Sequence, residues 1–416
     1  MRVLVQKYGG SSVADIECMQ KVRDKVVRAL DKGYKVVVVL SAMSGETDRL
    51  LNLAKQCSKR PDPSEMDVMV STGEQVSVAL FSILLRDIGV SARSFLGFQI
   101  PIQTDRSFGG ARILDVEQDR MKELMQDFDV LVVAGFQGCD SEMRITTLGR
   151  GGSDTTAVAL AAALDAELCE IYSDVEGVYT TDPNTCSQAK KRKKIAYDEM
   201  LEMASMGAKV LQIRSVEFAK KYNVPVHVRS TFSDMPGTYI VKEDKSMEAA
   251  MVSGVAYDKD QARITLVDVV DSPGVAASIF EPIARANIVV DMIVQNPSRE
   301  GSHTDMTFTV PKSSIEESLN ILEKVKDKIG AREILYEENV AKVSVIGVGM
   351  RNHSGVAAIA FSALKKENIN VKIISTSEIK ISCLIDEKYT ELAVRTLHEA
   401  FGLANLQEFT GKDDAA

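Results

Sequence analysis

The C-terminal part of the chain contains an internal repeat. The segment ITLVDVVDSPGVAASIF, which ends at Phe280, is echoed by VSVIGVGMRNHSGVAAIAF, which ends at Phe361, 81 positions later. The register is kept further along, because an Asn-Ile pair follows both copies of GVAA at the same distance. Each copy is predicted to form strand, glycine turn, helix, strand, strand, helix and strand, the order of a ferredoxin-like βαββαβ unit. We therefore predict two such modules, over residues 262–342 and 343–416.

The region before the repeat alternates between strand and helix patterns, which is typical of a parallel sheet covered by helices. The predicted strands are Val3–Gln6, Tyr34–Leu40, Asp129–Ala134 and Glu167–Tyr172, and the predicted helix is Glu17–Lys32. The apolar runs VVVVL and VLVVA have no polar alternation, as expected of strands that are buried on both faces. The predicted fold class is α/β, with a three-layer αβα domain over residues 1–245 and a mostly parallel central sheet.

Composition and charge exclude several functional classes. The formal net charge of −9 argues against a nucleic-acid or anionic-membrane surface, and the basic run KKRKK at 190–194 is interpreted as a solvated loop. The six cysteines form no C-x-x-C pair and the four histidines lie far apart, which fits neither a disulfide framework nor a histidine metal site. No signal-peptide pattern opens the chain, and we expect a cytoplasmic protein without a membrane span.

A glycine turn follows the first predicted strand in the segment KYGGSS. Backbone amides at such a strand-to-helix turn bind phosphate oxygens, and Lys7 supplies a mobile positive charge for a phosphoryl group. Gly9 and Gly10 allow the backbone to approach the ligand closely. The alternative is a tight turn with a solvated lysine. The segment is not a P-loop, since the chain has no G-x-x-x-x-G-K-[ST] motif.

A second glycine-rich segment, TTLGRGGSDTT, leads into a helix of small residues. Its glycines and helix N-terminus suit an anion, and the Arg150 guanidinium can bind a carboxylate through two hydrogen bonds. Asp154 can orient a lysine or Mg²⁺. The alternative is a flexible loop that Ser153 or Asp154 caps.

The chain resembles aspartate kinases of the amino-acid kinase superfamily. The resemblance lies in the ordered motifs KYGGSSV, SAMSGETDRLL, VSTGEQVS, GFQG, TTLGRGGSDTTA, SDVEGVYTTDP and EMASMGAKVL. The repeat is similar to the tandem ACT domains of that family. The resemblance implies ATP-dependent phosphorylation of the L-aspartate β-carboxylate, the first step of the pathway to lysine, threonine and methionine. Mg²⁺ is implied as a companion of ATP, and no cluster of protein ligands for it is evident.

The resemblance also implies roles for single residues. Lys7 would stabilise charge on the transferring group and Asp154 would position Lys7. Arg150 would bind the α-carboxylate of aspartate and Glu74 its ammonium. The other implied aspartate contacts are Ser41, Thr47, Gly152 and Ser153. The implied ATP contacts are Lys7, Gly9, Gly10, Ser11, Ser173, Asp174, Tyr179, Asp182 and Lys209.

Without the resemblance, several of these residues also fit ordinary roles in folding. Glu74 fits the first turn of a helix, where the helix dipole stabilises a carboxylate. Asp182 fits a turn, and Tyr179 fits a core or interface ring. Ser41 and Thr47 flank a turn after a buried strand, where open α/β sheets bind ligands. No general base is needed, because the β-carboxylate is already an ionised nucleophile.

The resemblance of the repeat modules to ACT domains implies feedback control by an amino acid, lysine or threonine or both. Motif matching predicts that the effector binds between a first module and a second module from another subunit. The predicted contacts in the first module are Asp271, Gly274, Ala276, Asp291 and Gln295, and those in the second are Asn370 and Val371. The alternative for the segment DSPG is a turn that caps a helix. We expect a homo-oligomer formed through the ACT modules. Met247 and Met251 are candidates for an internal translation start that yields a separate regulatory subunit.

Two other functions compete with this prediction. Another kinase of the superfamily, specific for glutamate, acetylglutamate or uridylate, would share the glycine turns and lack the repeat. A catalytically silent amino-acid sensor would keep the repeat, and the intact Lys7, Glu74, Arg150 and Asp154 argue against it.

Overall fold

The computed structural model describes residues 1–206, 210–244, 247, 250–297 and 303–405. These residues form two compact units. The first unit contains residues 1–179 and 191–244, and the second contains residues 180–190 and the described part of the chain from 250 onwards. The chain therefore leaves the first unit at Tyr179 and returns to it at Lys191.

The first unit is an α/β domain. In its first half the elements are β1 (Val3–Tyr8), α1 (Ile16–Asp31), β2 (Lys35–Leu40), α2 (Glu46–Cys57), α3 (Pro63–Val70), α4 (Thr72–Asp87), β3 (Ala92–Phe95), β4 (Ile102–Thr104), β5 (Ile113–Val116) and α5 (Gln118–Asp127). In its second half they are β6 (Val130–Ala134), β7 (Gln137–Cys139), β8 (Ile145–Thr147), α6 (Gly152–Ala163), β9 (Leu168–Ser173), β10 (Lys194–Ala196), α7 (Tyr197–Ser205), α8 (Ile213–Tyr222), β11 (Val226–Ser230) and β12 (Thr238–Val241).

The central sheet of this unit has the strand order β10-β12-β11-β9-β1-β2-β6-β3 among the described residues. Every pair from β11 to β3 is parallel, and only β11 and β12 run antiparallel. The two apolar runs form β2 and β6, whose residues from Val36 to Leu40 and from Val130 to Ala134 are fully buried. The predicted α/β fold with a mostly parallel central sheet is confirmed. A smaller sheet, β5-β4-β7-β8, lies in the same unit.

Helix α1 shows how local sequence determines an element of this fold. Asp15 accepts a hydrogen bond from the Cys18 amide at 2.7 Å and so caps the helix at its first turn. Met19, Val22 and Val26 recur at helical spacing and are buried in the core of the first unit. The predicted helix Glu17–Lys32 is therefore present, with its observed bounds one residue earlier at each end.

The helical stretch Pro63–Asp87 is long and apolar enough to cross a membrane by length and composition, a signal that the sequence analysis did not anticipate. Half of its most apolar window is buried within the protein. Val78, Phe81 and Leu85 on this stretch belong to the core cluster around β1, β2 and β6. The stretch therefore packs as a core helix of the first unit.

The run KKRKK is less solvated than predicted. The Lys191 side chain is only 10% exposed and lies 3.3 Å from Glu176. Arg192 is half-buried, and this burial lowers the pKa of its guanidinium. Only Lys193 and Lys194 in this run are exposed.

The second unit contains the repeat modules. Its elements are β13 (Gly254–Val270), α9 (Val275–Arg285), β14 (Ile293–Pro297), β15 (His303–Val310), α10 (Ile315–Ile329), β16 (Glu333–Ile346), α11 (Val356–Lys366), β17 (Val371–Thr376), β18 (Lys380–Asp386) and α12 (Thr390–Ala400). Among the described residues they form one sheet of order β14-β15-β13-β16-β18-β17.

The two modules share their longest strands. The second half of β13, residues 262–270, pairs with β15 and with the first half of β16. The first half of β13, residues 254–258, pairs instead with residues 342–346, which open the second module. The edge strand of the second module thus comes from a segment upstream of the first module and outside both predicted ranges. The predicted module boundaries themselves stay predictions.

Residues 180–190 are built into the second unit. The Val255 amide donates to the Thr180 carbonyl at 2.7 Å, and the Thr180 hydroxyl lies 2.8 Å from Nε2 of His398. His398 is fully buried, and burial lowers the pKa of its imidazole. Tyr257 donates to Asp182 at 3.2 Å. Through these bonds the segment that follows Tyr179 is fixed to α12 and β13 within the second unit.

We expect Phe81→Ala to destabilise the protein by about 3–5 kcal/mol, because it removes a fully buried ring from the core. Ile83→Ala on the same helix is the matched control, since Ile83 is 64% exposed and its loss should cost less than about 0.5 kcal/mol. Chemical denaturation monitored by circular dichroism measures both values. Equal and small effects would contradict the assignment of Pro63–Asp87 as a core helix.

Candidate active site

A cavity of about 550 Å³ opens at the carboxyl ends of β1, β2 and β6. Open parallel α/β sheets bind ligands at this edge. Lys7 and Asp154 line it together with seven of the predicted substrate and phosphate residues, namely Gly10, Ser41, Thr47, Glu74, Arg150, Gly152 and Ser153. The structure therefore brings the predicted catalytic and aspartate-binding residues into one cavity.

Lys7 and Asp154 form an ion pair in this cavity. The Lys7 ammonium lies 2.7 Å from Oδ1 of Asp154, and each side chain is 11% exposed. Lys7 comes from β1, and Asp154 comes from the first turn of α6. An ion pair that is largely withdrawn from water keeps both charges fixed in place.

The glycine turn after β1 lies against the end of β2. The Gly9 amide donates to the Tyr172 carbonyl at 3.3 Å, and the turn continues as a short 3₁₀ helix over Gly10–Val13. A Cβ atom at Gly10 would lie 3.0 Å from the Ala42 carbonyl oxygen. A side chain is therefore disfavoured at this position by the close approach of the two backbones. Ser11 is in the same turn and exposed.

Glu74 is a buried carboxylate with one uncompensated oxygen. Its Oε1 accepts a hydrogen bond from the Ala42 amide at 3.0 Å, whereas Oε2 is buried and accepts none from the described residues. The residue is 3% exposed, and this desolvation raises the pKa of its carboxyl group to about 7. A buried oxygen without a donor is costly, so the site is suited to a ligand that brings one.

Hydroxyl groups connect β2 with α6. The Ser41 hydroxyl donates to the Ser153 hydroxyl at 3.0 Å. The backbone amide of Ser41 donates a hydrogen bond to the Tyr8 carbonyl, which fixes the position of Ser41. Thr47 lies in the first turn of α2 on the wall of the cavity. A Cβ atom at Gly135, the residue directly after β6, would lie 2.7 Å from the Ser153 hydroxyl oxygen, so a side chain is disfavoured at this position as well.

Arg150 projects from the loop between β8 and α6. Its side chain is exposed, and none of the described residues pairs with its guanidinium. Gly151, which precedes α6, has φ +71°, a conformation that favours glycine. The guanidinium is therefore available for an anionic ligand at the mouth of the cavity.

The predicted nucleotide contacts divide into three groups. Ser173 and Asp174 lie at the carboxyl end of β9, which pairs with β1, and Tyr179 follows them. Asp182 belongs to the second unit, where it accepts bonds from Tyr257 and from the Asn184 amide. Lys209 lies outside the described residues.

Sequence reasoning missed Asp67, which lines the same cavity. Asp67 is 1% exposed and lies in α3, between apolar residues in the segment MDVMV. A carboxylate at a buried position of an apolar helix is the signal that identifies it. Phe136 and Gly149 also line the cavity and were not predicted.

The predicted effector residues lie in the second unit. Asp271 and Gly274 lie in the turn before α9, with Gly274 at φ +92°, and Ala276 is in the first turn of the helix. Gln295 is in β14 and Val371 begins β17 directly after Asn370, so these contacts are on the two edge strands of the sheet. Asp291 forms an ion pair with Lys342, whose side chain is 6% exposed. Sequence reasoning did not anticipate that contact.

Family models match three segments of the chain. Residues 2–230 match the amino acid kinase family, and residues 263–327 and 343–401 each match an ACT domain. An aspartate kinase from Pseudomonas putida is 54% identical over 404 residues, which cover 97% of this chain and 98% of that protein. The similarity thus spans both the catalytic part and the regulatory part.

Two solved structures of Escherichia coli aspartokinase III are similar to this chain at 28% identity, each covering 96% of this chain and 99% of the other. One is a complex with aspartate and ADP in the R-state, with a TM-score of 0.79. The other is a complex with lysine and aspartate in the T-state, with a TM-score of 0.76. The alternative of a catalytically silent sensor does not hold. The chain belongs to the aspartate kinase family, whose members phosphorylate aspartate with ATP, and it carries two ACT domains after its amino acid kinase domain.

Proposed function

We propose that phosphoryl transfer takes place in the cavity at the carboxyl ends of β1, β2 and β6. The observation that carries this proposal is the buried, uncompensated Oε2 of Glu74 in the same cavity as the Lys7–Asp154 ion pair. The ammonium of aspartate supplies the missing donor to Glu74, and the free guanidinium of Arg150 binds its α-carboxylate. The two contacts direct the β-carboxylate towards Lys7. The hydroxyls of Ser41, Thr47 and Ser153 complete the aspartate site with Gly152.

The chemistry in this proposal depends on position and charge. The β-carboxylate is ionised at neutral pH and attacks the γ-phosphorus of ATP without a general base, while the bond from the γ-phosphorus to the β,γ-bridging oxygen breaks and ADP leaves. Lys7 offsets charge on the transferring group, Asp154 keeps Lys7 in place, and the amides of Gly10 and Ser11 bind phosphate oxygens. The Gly9 amide donates to the Tyr172 carbonyl, so Gly9 contributes by letting the turn approach the phosphates closely. The ATP base and ribose lie, in this proposal, beyond the end of β9 against Ser173, Asp174 and Tyr179. Asp182 and Lys209 remain proposed ATP contacts on the resemblance alone.

We propose Mg²⁺ as the partner of ATP. Among the described residues, no three His, Cys, Asp or Glu side chains converge on a common point. Mg²⁺ is commonly held by one or two carboxylates together with substrate phosphates, and Asp154 beside Lys7 is, in this proposal, the cavity carboxylate that would hold it. When bound, Mg²⁺ neutralises charge on the phosphates.

We propose that the ACT domains bind an amino-acid effector. The E. coli enzyme whose structure contains lysine supports lysine as a candidate, and threonine remains the other. The proposed contacts are Asp271, Gly274, Ala276, Asp291, Gln295, Asn370 and Val371. Asp271 or Asp291 binds the effector's ammonium, and the turn amides near Gly274 bind its carboxylate. In this proposal the enzyme is a cytoplasmic homo-oligomer, and Met247 or Met251 is a candidate start of a separate regulatory subunit.

We expect Lys7→Ala to lower kcat by about 10²–10³-fold, because an electrostatic contact to the transferring group is lost. The KM for ATP should change less, since the amides of the glycine turn remain. A coupled ADP-release assay measures both constants. Lys35→Ala is the control, because Lys35 starts the next strand and pairs with Asp129 outside the cavity. A near-normal kcat in Lys7→Ala would remove Lys7 from the mechanism.

The raised pKa of Glu74 predicts a pH dependence of aspartate use. Below about pH 7 the carboxyl group becomes protonated and cannot balance an ammonium ion, so kcat/KM for aspartate should fall as pH decreases. The aspartate β-carboxyl, with a pKa of about 3.9, does not titrate in this range. Glu74→Gln should give a low kcat/KM without this inflection. An inflection that persists in Glu74→Gln would show that another group causes it.

We expect lysine, threonine or both to inhibit the intact enzyme. Asp271→Asn should raise the effector concentration needed for half-inhibition about tenfold, because a charge-assisted hydrogen bond to the effector is lost. The uninhibited kcat should stay the same. Asp327→Asn, which makes the same change at an exposed position of α10, is the control. The sensor assignment fails if neither amino acid inhibits, and Asp271 is excluded if its variant is inhibited like the parent enzyme.

A further inference from the structure

Two neighbouring loops form the rim of the catalytic cavity. The arginine loop comprises residues 147–151 and carries Arg150, and the glycine loop comprises residues 109–111. The Ala111 amide donates to the Thr147 carbonyl at 2.8 Å. A Cβ atom at Gly149 would lie 3.1 Å from the Gly109 carbonyl oxygen, so the two backbones are in close contact. The position of Arg150 therefore depends on what holds both loops.

Asp67 holds both loops from α3. Its Oδ2 accepts the Thr147 amide at 2.7 Å, and its Oδ1 accepts the Thr147 hydroxyl at 2.6 Å. The Gly109 amide donates to both oxygens at 3.0 Å. Hydrogen bonds to a buried carboxylate are stronger than those between neutral groups. Because both oxygens are occupied by loop donors, Asp67 is not free to bind a substrate although it lines the cavity.

Arg214 holds the same two loops from α8. One terminal nitrogen of its guanidinium donates to the Leu148 carbonyl at 2.7 Å, and the other donates to the Ala111 carbonyl at 2.6 Å. The neighbouring Gln212 side chain packs so tightly against Gly151 that a Cβ atom there would lie 1.7 Å from its Cγ. The planar guanidinium spans two carbonyl groups in a way that a lysine ammonium does not reproduce.

We propose that Asp67 and Arg214 are positioning residues for aspartate binding. Asp67 accepts from the amide and hydroxyl donors of the two loops, and Arg214 donates to their carbonyl groups. Together they fix the backbone at Thr147 and Leu148, just before Arg150, and the glycine loop that lies against it. This inference rests on the proposed role of Arg150 in binding the substrate α-carboxylate. A guanidinium displaced by even a small distance loses its paired hydrogen bonds to a carboxylate, so the affinity for aspartate depends on the two residues.

Asp67→Asn tests this proposal. The substitution keeps size and shape but removes the negative charge and replaces one acceptor oxygen with an amide NH₂. The Thr147 and Gly109 amides must then share one neutral acceptor, so the loop contacts are weakened without a cavity. We expect the KM for aspartate to rise about tenfold, with the KM for ATP changing less than about twofold. Asp129→Asn is the matched control, because Asp129 is half exposed and pairs only with Lys35 among the described contacts of its side chain. Comparable effects on both substrates would overturn the proposal.

A double-mutant cycle with Arg150→Ala separates positioning from general damage. If Asp67 acts through Arg150, Asp67→Asn should raise the KM for aspartate by less than about twofold in the Arg150→Ala background. Additive effects would show that Asp67 acts elsewhere and would overturn the proposal. If Arg150→Ala alone leaves the KM unchanged, the assignment of Arg150 itself fails. If Arg150→Ala raises the KM and Asp67→Asn does not, only the positioning role fails.

Thr147 provides a second test if Asp67→Asn does not fold. Thr147→Val removes only the hydroxyl donor to Asp67, and Thr147→Ser retains it. The valine variant should show the same selective rise in the KM for aspartate, and the serine variant should restore the parent value to within about twofold. Equal KM values for the valine and serine variants would overturn the proposal. Arg214→Lys should resemble Thr147→Val, since one ammonium cannot bridge the two carbonyl groups.

Discussion

Parallel pairing of β9, β1, β2 and β6 is the constraint on which the rest of the molecule depends. Because these strands run in one direction, their carboxyl ends meet at one edge and bring the glycine turn, Ser41 and Gly135 together. Strands buried on both faces can be built from apolar residues alone, which leaves the polar chemistry to the turns that follow them. The same apolar runs that drive folding thus determine where charge can be placed.

Charge in the cavity is kept at a cost to the folded state. Lys7 and Asp154 compensate each other, whereas Glu74 is stabilised by backbone amides, that of Ala42 and its own, and by no cation among the described residues. Ionising a carboxylate that is buried in this way is unfavourable, and its raised pKa expresses that cost. A substrate ammonium that reaches Oε2 would offset the cost on binding. If Glu74 binds the substrate ammonium as proposed, the stability given up in the free protein would be recovered in the complex.

Short-range signals made much of the fold and part of the site predictable. Apolar runs give β2 and β6, and the motif around Lys7 follows β1 directly, so strand direction alone places it beside Ser41. Contacts that depend on distant segments were not predictable. Asp67 meets Thr147, which is far along the chain, and Arg214 reaches two separate loops. Residues 254–258 complete a module that begins more than eighty positions later, a pairing that no local pattern encodes.

The shared strands make the first ACT domain an insertion within the second. The two modules cannot be separated by cutting the chain between the two repeat copies. Such a cut would remove residues 254–258, which form one edge of the second module, together with the first module. Both candidate internal starts, Met247 and Met251, precede Gly254, so a shorter polypeptide that begins at either would keep that edge. It would lack Thr180, and the buried His398 at the end of α12 would lose its hydroxyl partner. A full-length subunit and its shortened form would therefore share the sheet and α12, but only in the full-length subunit would the Thr180 hydroxyl bind His398 of that helix.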